Sequence, residues 1–119
     1  ATYPAGVIGT TAENLKASAD GENEEWTILY KEFGETAKAE GFCDVAESYF
    51  RIAEVEKRHE ARYRELLKTI QDGTTFQKDK EVIWKCRNCG YNHKGNKAPE
   101  KCPACKHAKS YFELQNESY

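Results

Sequence analysis

An acid and an imidazole are spaced three residues apart near the middle of a long helical segment. Glu56 and His59 stand in the stretch EVEKRHEA, and this spacing places both side chains on one face of a helix. They fall in a stripe whose steps alternate between four and three residues, the period of a buried helical seam. Burying an unpaired carboxylate costs several kcal/mol, so a cation is expected beside them. The stripe comprises Val45, Tyr49, Ile52, Glu56, His59, Tyr63, Leu66 and Ile70.

Two further acids, Glu22 and Glu25, share one face of the preceding helical segment. Helical bundles that bind two iron ions take one Glu from each of two helices and a Glu-x-x-His motif from each of two others. Carboxylates can bridge two iron or manganese ions while an imidazole caps one of them. The chain therefore carries half of such a ligand set. The alternative is that these acids are solvated, as charged side chains on helices usually are.

Four of the five cysteines form two C-x-x-C pairs, Cys86 with Cys89 and Cys102 with Cys105. This spacing suits a tetrahedral site of four thiolates. The pattern does not select the metal: a structural zinc ion would only hold a small domain together, whereas an iron ion could pass one electron. The remaining cysteine, Cys43, is interpreted as a small residue near a helix start.

Two long helices joined by a short turn are expected in the first two thirds of the chain. Thr10 and Glu13 form a capping-box signature, and helix-forming residues continue to about residue 40. Gly41 ends this helix, and a second helix extends from about residue 43 to just before Gly73. The short connection makes the two helices antiparallel neighbours.

The sequence changes character after the second helix. Residues 72–81 are polar and without helical period, which predicts a linker. Aromatic and β-branched residues then surround the cysteine pairs, which favours short strands and turns. We therefore predict a mainly α chain with two domains, a helical hairpin in residues 1–75 and a small β metal-binding domain in residues 76–119.

Composition narrows the classes of partner. The 119 residues include 32% charged side chains with a net charge of -2, which does not describe a basic surface for nucleic acid. No apolar run has membrane-spanning length, and the N-terminus lacks the features of a signal peptide. The cytoplasm is the expected compartment, and its reducing conditions favour metal thiolates over disulfides.

The motifs together resemble one known family. The stretches CRNCGY and CPAC, with Trp84 before them and Tyr111 and Phe112 after them, look like a short rubredoxin module. Joined to helices carrying Glu-x-x-Glu and Glu-x-x-His, the chain from YPAGVIGTTAENLKAS to SYFEL resembles the rubrerythrin family. The resemblance implies an antiparallel hairpin that is half of a ferritin-like four-helix bundle, followed by a rubredoxin-like domain.

The resemblance also implies roles for individual residues. Glu22, Glu25, Glu56 and His59 match ligands of a binuclear iron site. Tyr30 matches a tyrosine that hydrogen-bonds a ligand carboxylate. The four paired cysteines match the ligands of a mononuclear iron.

The function that the resemblance implies is that of a non-haem di-iron peroxidase. It reduces hydrogen peroxide to water with electrons that an external reductase delivers through the rubredoxin-type iron, and it acts as a homodimer in defence against oxidative stress. Members of the family have two further helices that this sequence lacks, so a companion fragment, another chain or a second copy is expected to supply them. The alternatives are a rubredoxin-type electron-transfer protein without catalysis and a zinc-ribbon interaction module.

Overall fold

The computed structural model describes residues 6–119, and the start of the predicted helical domain, residues 1–5, lies outside the described residues. The chain forms two compact units, one ending at Gln71 and the other spanning Asp72–Tyr119. The first is a long helical hairpin, and the second contains a small three-stranded antiparallel sheet. The predicted mainly α fold, a hairpin followed by a rubredoxin-like β module, is confirmed.

The first arm of the hairpin contains two α-helices separated by one π-helical turn. Helix α1 spans Thr11–Glu24, the π-helical turn spans Glu25–Leu29, and helix α2 spans Tyr30–Ala39. The predicted capping box starts α1: the backbone N–H of Glu13 donates to the Thr10 hydroxyl, and the Glu13 carboxylate accepts from the Thr10 backbone N–H at 2.8 Å. Both partners thus satisfy N–H groups that the first helical turn leaves free.

The second arm is a single helix, α3, which spans Cys43–Gln71. Gly41, at a φ of 87°, makes the turn between the arms, and its left-handed backbone suits a residue without a Cβ. The arms approach closely near this turn. A Cβ added to Gly34 would lie only 2.5 Å from the Phe50 ring, so a residue larger than glycine would not fit there without a shift of the ring. In the described part of the chain, no helix has the length and apolar character to cross a membrane.

The face of α3 that packs in the hairpin differs from the predicted seam. Val45, Ile52, Leu66 and Ile70 are 37–46% exposed, so the prediction that they are buried is wrong for the hairpin. One neighbouring arm covers only one side of a helix, and that side is rotated from the apolar stripe while sharing Tyr49, Glu56 and Tyr63 with it. The residues of α3 that are buried or half-buried are Ala46, Tyr49, Ala53, Glu56, Glu60, Tyr63, Leu67 and Thr69.

The second unit is built around a sheet whose strand order is β2-β1-β3. Strand β1 spans Gln77–Cys86, β2 spans Asn92–Lys97 and β3 spans Phe112–Leu114, and both pairings are antiparallel. The predicted linker at residues 72–81 is therefore wrong in its second half, which begins β1. That half is polar and mostly exposed, and its pairing with β2 shifts register before Val82, so it shows no hydrophobic alternation.

The core of the second unit is small and includes two cysteines. Its buried members pack as one cluster, and the indole Nε1 of Trp84 donates to the Gly95 carbonyl at 3.1 Å. Such a core is too small to stabilise a domain of this size by burial alone, and small domains often add a metal site. The buried members are Trp84, Cys86, Ala98, Cys102 and Phe112.

Candidate metal centres

The hairpin brings three of the predicted ligands together. Glu22 extends from α1, while Glu56 and His59 extend from α3. The His59 Nδ1 lies 2.7 Å from the Glu56 Oε2 and 3.5 Å from the Glu22 Oε1, and one ligand atom from each residue falls within 4.8 Å of the others. The two carboxylates are only 17% and 13% exposed, whereas the imidazole is 50% exposed. The cluster is therefore open on the side of His59.

One oxygen of this cluster is buried without a partner. Among the described residues, the Glu22 Oε2 has no hydrogen-bond donor. Burial is the main cause that raises the pKa of Glu22, and the carboxyl of Glu56, which shares a hydrogen bond with it, raises it further. Two crowded carboxylates with a spare buried oxygen are costly unless a cation meets them. The residues present therefore fit a metal ion, and carboxylate with imidazole suits iron or manganese.

Glu25 lies outside this three-residue group. It is half-buried and is the first residue of the π-helical turn, a distortion that is frequent at functional sites. Tyr30 follows this turn and stacks on the Tyr49 ring at 6.0 Å. Burial raises the pKa of Tyr30, with further contributions from the negative charges of Glu25, Glu56 and Glu22. The charges of these acids therefore act on the Tyr30 phenol, and the roles of Glu25 and Tyr30 stay predictions.

A polar cluster that the sequence analysis missed centres on Glu60. Its Oε2 accepts from the Trp26 Nε1 at 2.6 Å and from the Asn23 Nδ2 at 3.1 Å, and its Oε1 accepts from Arg64 at 2.7 Å. These hydrogen bonds, above all that from Trp26, lower the pKa of Glu60. The sequence feature that could have indicated this cluster is Trp26, because a half-buried indole N–H needs an acceptor on the facing helix.

The Glu60 cluster joins the two arms beside the candidate ligands. Asn23 directly follows Glu22 in the chain, and Glu60 directly follows His59. The hydrogen bond between Asn23 and Glu60 therefore fixes the rotation of α1 against α3 at the level of the carboxylate–histidine group.

We expect Glu60→Ala to lower the free energy of unfolding by about 1–3 kcal/mol, because it leaves the half-buried donors of Trp26 and Asn23 without an acceptor. Glu65→Ala, an exposed acid on the same helix, is the matched control and should change it by no more than about 0.5 kcal/mol. Urea unfolding followed by circular dichroism at the helical band measures both. Equal effects of the two substitutions would show that the cluster contributes nothing.

The second unit brings the four paired cysteines to one point. The Sγ–Sγ distance is 3.7 Å both for Cys86 with Cys105 and for Cys89 with Cys102, and all four sulfurs lie within 4.8 Å of one another. A tetrahedral ion with metal–sulfur bonds of about 2.3 Å has edges of about 3.8 Å. The four sulfurs therefore fit a single tetrahedral ion.

The two cysteine loops are built alike. In each loop, the N–H of the first cysteine donates to the carbonyl of the residue five positions later. The carbonyl of the same cysteine accepts from the N–H of the residue four positions later, which is Gly90 in the first loop and Lys106 in the second. These N···O distances are 2.8 and 2.8 Å in the first loop and 2.8 and 3.0 Å in the second. Both positions are left-handed, with a φ of 80° at Gly90 and 67° at Lys106.

The chemistry of the four thiols favours a cation. The backbone N–H of His107 donates to the Cys105 sulfur and is the main cause that lowers the pKa of this thiol to about 5. The N–H of Tyr91 likewise acts to lower the pKa of Cys89, but burial and the neighbouring thiols outweigh it and raise that pKa to about 12. One thiolate therefore forms readily, and four can coexist only around a positive ion.

The fold and the two groups define a class of protein with two candidate metal centres, a carboxylate–histidine group in a helical hairpin and a tetrathiolate in a β module. The family model described as Rubrerythrin matches residues 1–83, and that described as Rubrerythrin, rubredoxin-like domain matches residues 84–113. The chain belongs to the rubrerythrin family, as the sequence motifs predicted. Both matched domains imply iron as the metal.

Curated relatives and a solved structure agree with this membership. The chain is 53% identical to a rubrerythrin of Porphyromonas gingivalis over all of its length and 60% of that protein. It is 45% identical to a rubrerythrin of Nitratidesulfovibrio vulgaris over 96% of this chain and 60% of that protein. The partially reduced state of nigerythrin superposes with a TM-score of 0.53 at 30% identity, covering 97% of this chain and 54% of the other. The chain thus spans about 60% of the length of these curated relatives.

Proposed function

We propose that this chain is part of a peroxidase that reduces hydrogen peroxide to two waters, consuming two electrons and two protons. The observation that supports it most is the Glu22 Oε2, buried without a donor beside Glu56 and His59 in the described hairpin. In a purely structural hairpin, a buried carboxylate oxygen without a donor would only lower stability, because it is desolvated without a hydrogen bond.

We assign the two domains complementary roles. Residues 1–75 contribute half of a ferritin-like bundle that holds the binuclear centre, and residues 76–119 hold the mononuclear centre. Iron bound in these two centres would supply the redox chemistry, since carboxylate-bound iron can donate electrons to a peroxide and tetrathiolate iron exchanges one electron at a time. An external reductase is the proposed source of the electrons.

The residues of the hairpin divide the work of the site. Glu22, Glu56 and His59 would hold the metal, and Glu25, which lies outside their group, would be a further ligand. Tyr30 keeps its proton because burial and the nearby carboxylates raise the pKa of its phenol. Its O–H can therefore donate to a carboxylate ligand or to the bound peroxide.

The four cysteines serve the transfer of electrons. Backbone N–H groups of His107 and Tyr91 donate to the sulfurs of Cys105 and Cys89, which stabilises the negative charge of the centre. The Cys89 side chain is exposed, so an external donor can reach this edge of the tetrathiolate directly.

The ligands missing from the hairpin come, in this proposal, from two further helices carried by a companion segment or by another chain. Large apolar side chains on α3 stay exposed on the flank beside Glu56 and His59, as an uncompleted bundle requires. The curated relatives are longer than this chain by an amount that can include such helices. We further propose a homodimer acting in the cytoplasm, in which one subunit's tetrathiolate can serve the partner's binuclear centre.

Iron per chain, measured on the purified protein together with its intact mass, tests the proposal. We expect about three irons for one complete binuclear and one mononuclear centre, and rapid oxidation of the reduced protein by hydrogen peroxide. One iron per chain without peroxide reactivity would instead indicate an electron-transfer protein without catalysis. Zinc in the tetrathiolate would indicate an interaction module.

A further inference from the structure

Lys106 adopts a backbone conformation that lysine rarely takes. Among the described residues, it is the only one other than glycine with a positive φ. The equivalent position in the first cysteine loop is Gly90, which adopts the left-handed region without a steric penalty. A residue with a Cβ is disfavoured there, so a lysine in place of glycine suggests that its side chain has a use.

The side chain of Lys106 turns back over its own loop. Its Nζ donates to the Pro103 carbonyl at 2.6 Å. Pro103 lies between Cys102 and Cys105, so the ammonium is held against the loop that supplies two of the four sulfurs. The positive charge of Lys106 therefore lies over the loop that carries Cys102 and Cys105.

Four of the seven other lysines of this unit contact an acid, two of them sharing Glu100, whereas the contact of Lys106 is a neutral carbonyl. Such ion pairs reduce the field that a lysine exerts at a distance. The pairs are Lys85 with Glu113, Lys94 with Glu81, Lys97 with Glu100 and Lys109 with Glu100.

We propose that Lys106 tunes the tetrathiolate iron, stabilising its reduced form and so raising its reduction potential. This inference rests on the proposed one-electron function of the centre. The external donor loses one electron, ferric iron becomes ferrous, and no bond or proton is exchanged. Because the four thiolates stay bound, reduction adds one negative charge to the centre, and a nearby fixed cation favours that state.

The test is a redox titration of the iron-loaded protein, followed by the visible absorbance of the tetrathiolate. We expect Lys106→Gln to lower the ratio of reduced to oxidised centre at a fixed ambient potential by about threefold, the effect expected of one charge near the protein surface. This threefold change corresponds to a reduction potential about 28 mV lower. Lys106→Arg should keep the wild-type potential. Lys78→Gln is the matched control, because the Lys78 Nζ also donates to a backbone carbonyl, that of Thr74, but outside the cysteine loops.

A second substitution separates charge from backbone conformation. Lys106→Gly should shift the potential as Lys106→Gln does and should unfold at a higher temperature than the Gln variant, because glycine accepts the left-handed backbone. A wild-type potential in Lys106→Gln, or an equal shift in Lys78→Gln, would overturn the inference and leave the proposed function standing. A wild-type centre without reducible iron would overturn both.

Discussion

His59→Ala is expected to lower peroxide turnover by at least about a hundredfold while leaving the visible spectrum of the tetrathiolate iron unchanged. His59 is the only nitrogen donor of its group, with its Nδ1 2.7 Å from the Glu56 Oε2. Losing even a residue that supports a metal ligand costs roughly 10–100-fold in metal affinity or activity, so losing a ligand should cost more. Steady-state peroxide consumption and the absorbance spectrum of the same sample measure the two effects.

His93→Ala is the control for this substitution. His93 lies on β2 in the other unit and is half-buried, so its removal tests whether any histidine loss produces the same result. We expect it to leave peroxide turnover within about twofold of wild type, because His93 belongs to neither candidate metal group. Full turnover in His59→Ala would refute the ligand assignment.

Cys102→Ser should remove the metal from the second unit and unfold residues 72–119. Cys102 is fully buried and belongs to a core of only five buried residues. Structural metal sites contribute about 10–16 kcal/mol to folding in small domains, which equals or exceeds the typical stability of about 5–15 kcal/mol of a whole domain. Iron content and amide hydrogen exchange across residues 72–119 measure the loss.

The natural control is Cys43→Ser. Cys43 is free and exposed at the start of α3, so its thiol takes no part in the tetrathiolate. This variant should keep its iron and its slow amide exchange in the second unit. Protected amides in Cys102→Ser would show that the small core folds without the metal.

Local features of the fold could be predicted from the sequence because they depend on residues close together in the chain. Thr10 and Glu13 start α1 as a capping box, Gly41 makes the turn between the arms, and the two cysteine pairs converge on one point. Each depends on spacing and on the backbone preferences of a few residues. The sequence wrongly predicts a linker at the polar start of β1, because the pairing of that segment with β2 leaves no periodic pattern.

The packing of α3 could not be predicted in the same way. Its apolar stripe, which includes Val45 and Leu66, marks side chains that any neighbouring element could bury. The hairpin supplies only one neighbouring arm, so Val45 and Leu66 stay exposed. Glu60 was missed for a related reason, since an acid in a Glu-rich helix gives no sign of being half-buried. Only the position of Trp26 on the facing arm makes it an acceptor.

The π-helical turn at Glu25–Leu29 affects how this chain should be compared with its relatives. A π-helical turn holds about one residue more than an α-helical turn, and each residue advances a helix by about 100°. A relative that lacked one residue here would present Tyr30 and Gly34 on a different side of the arm relative to Glu22. Alignments that place every gap in a loop would then pair residues that point in different directions, so a single-residue gap belongs inside this turn.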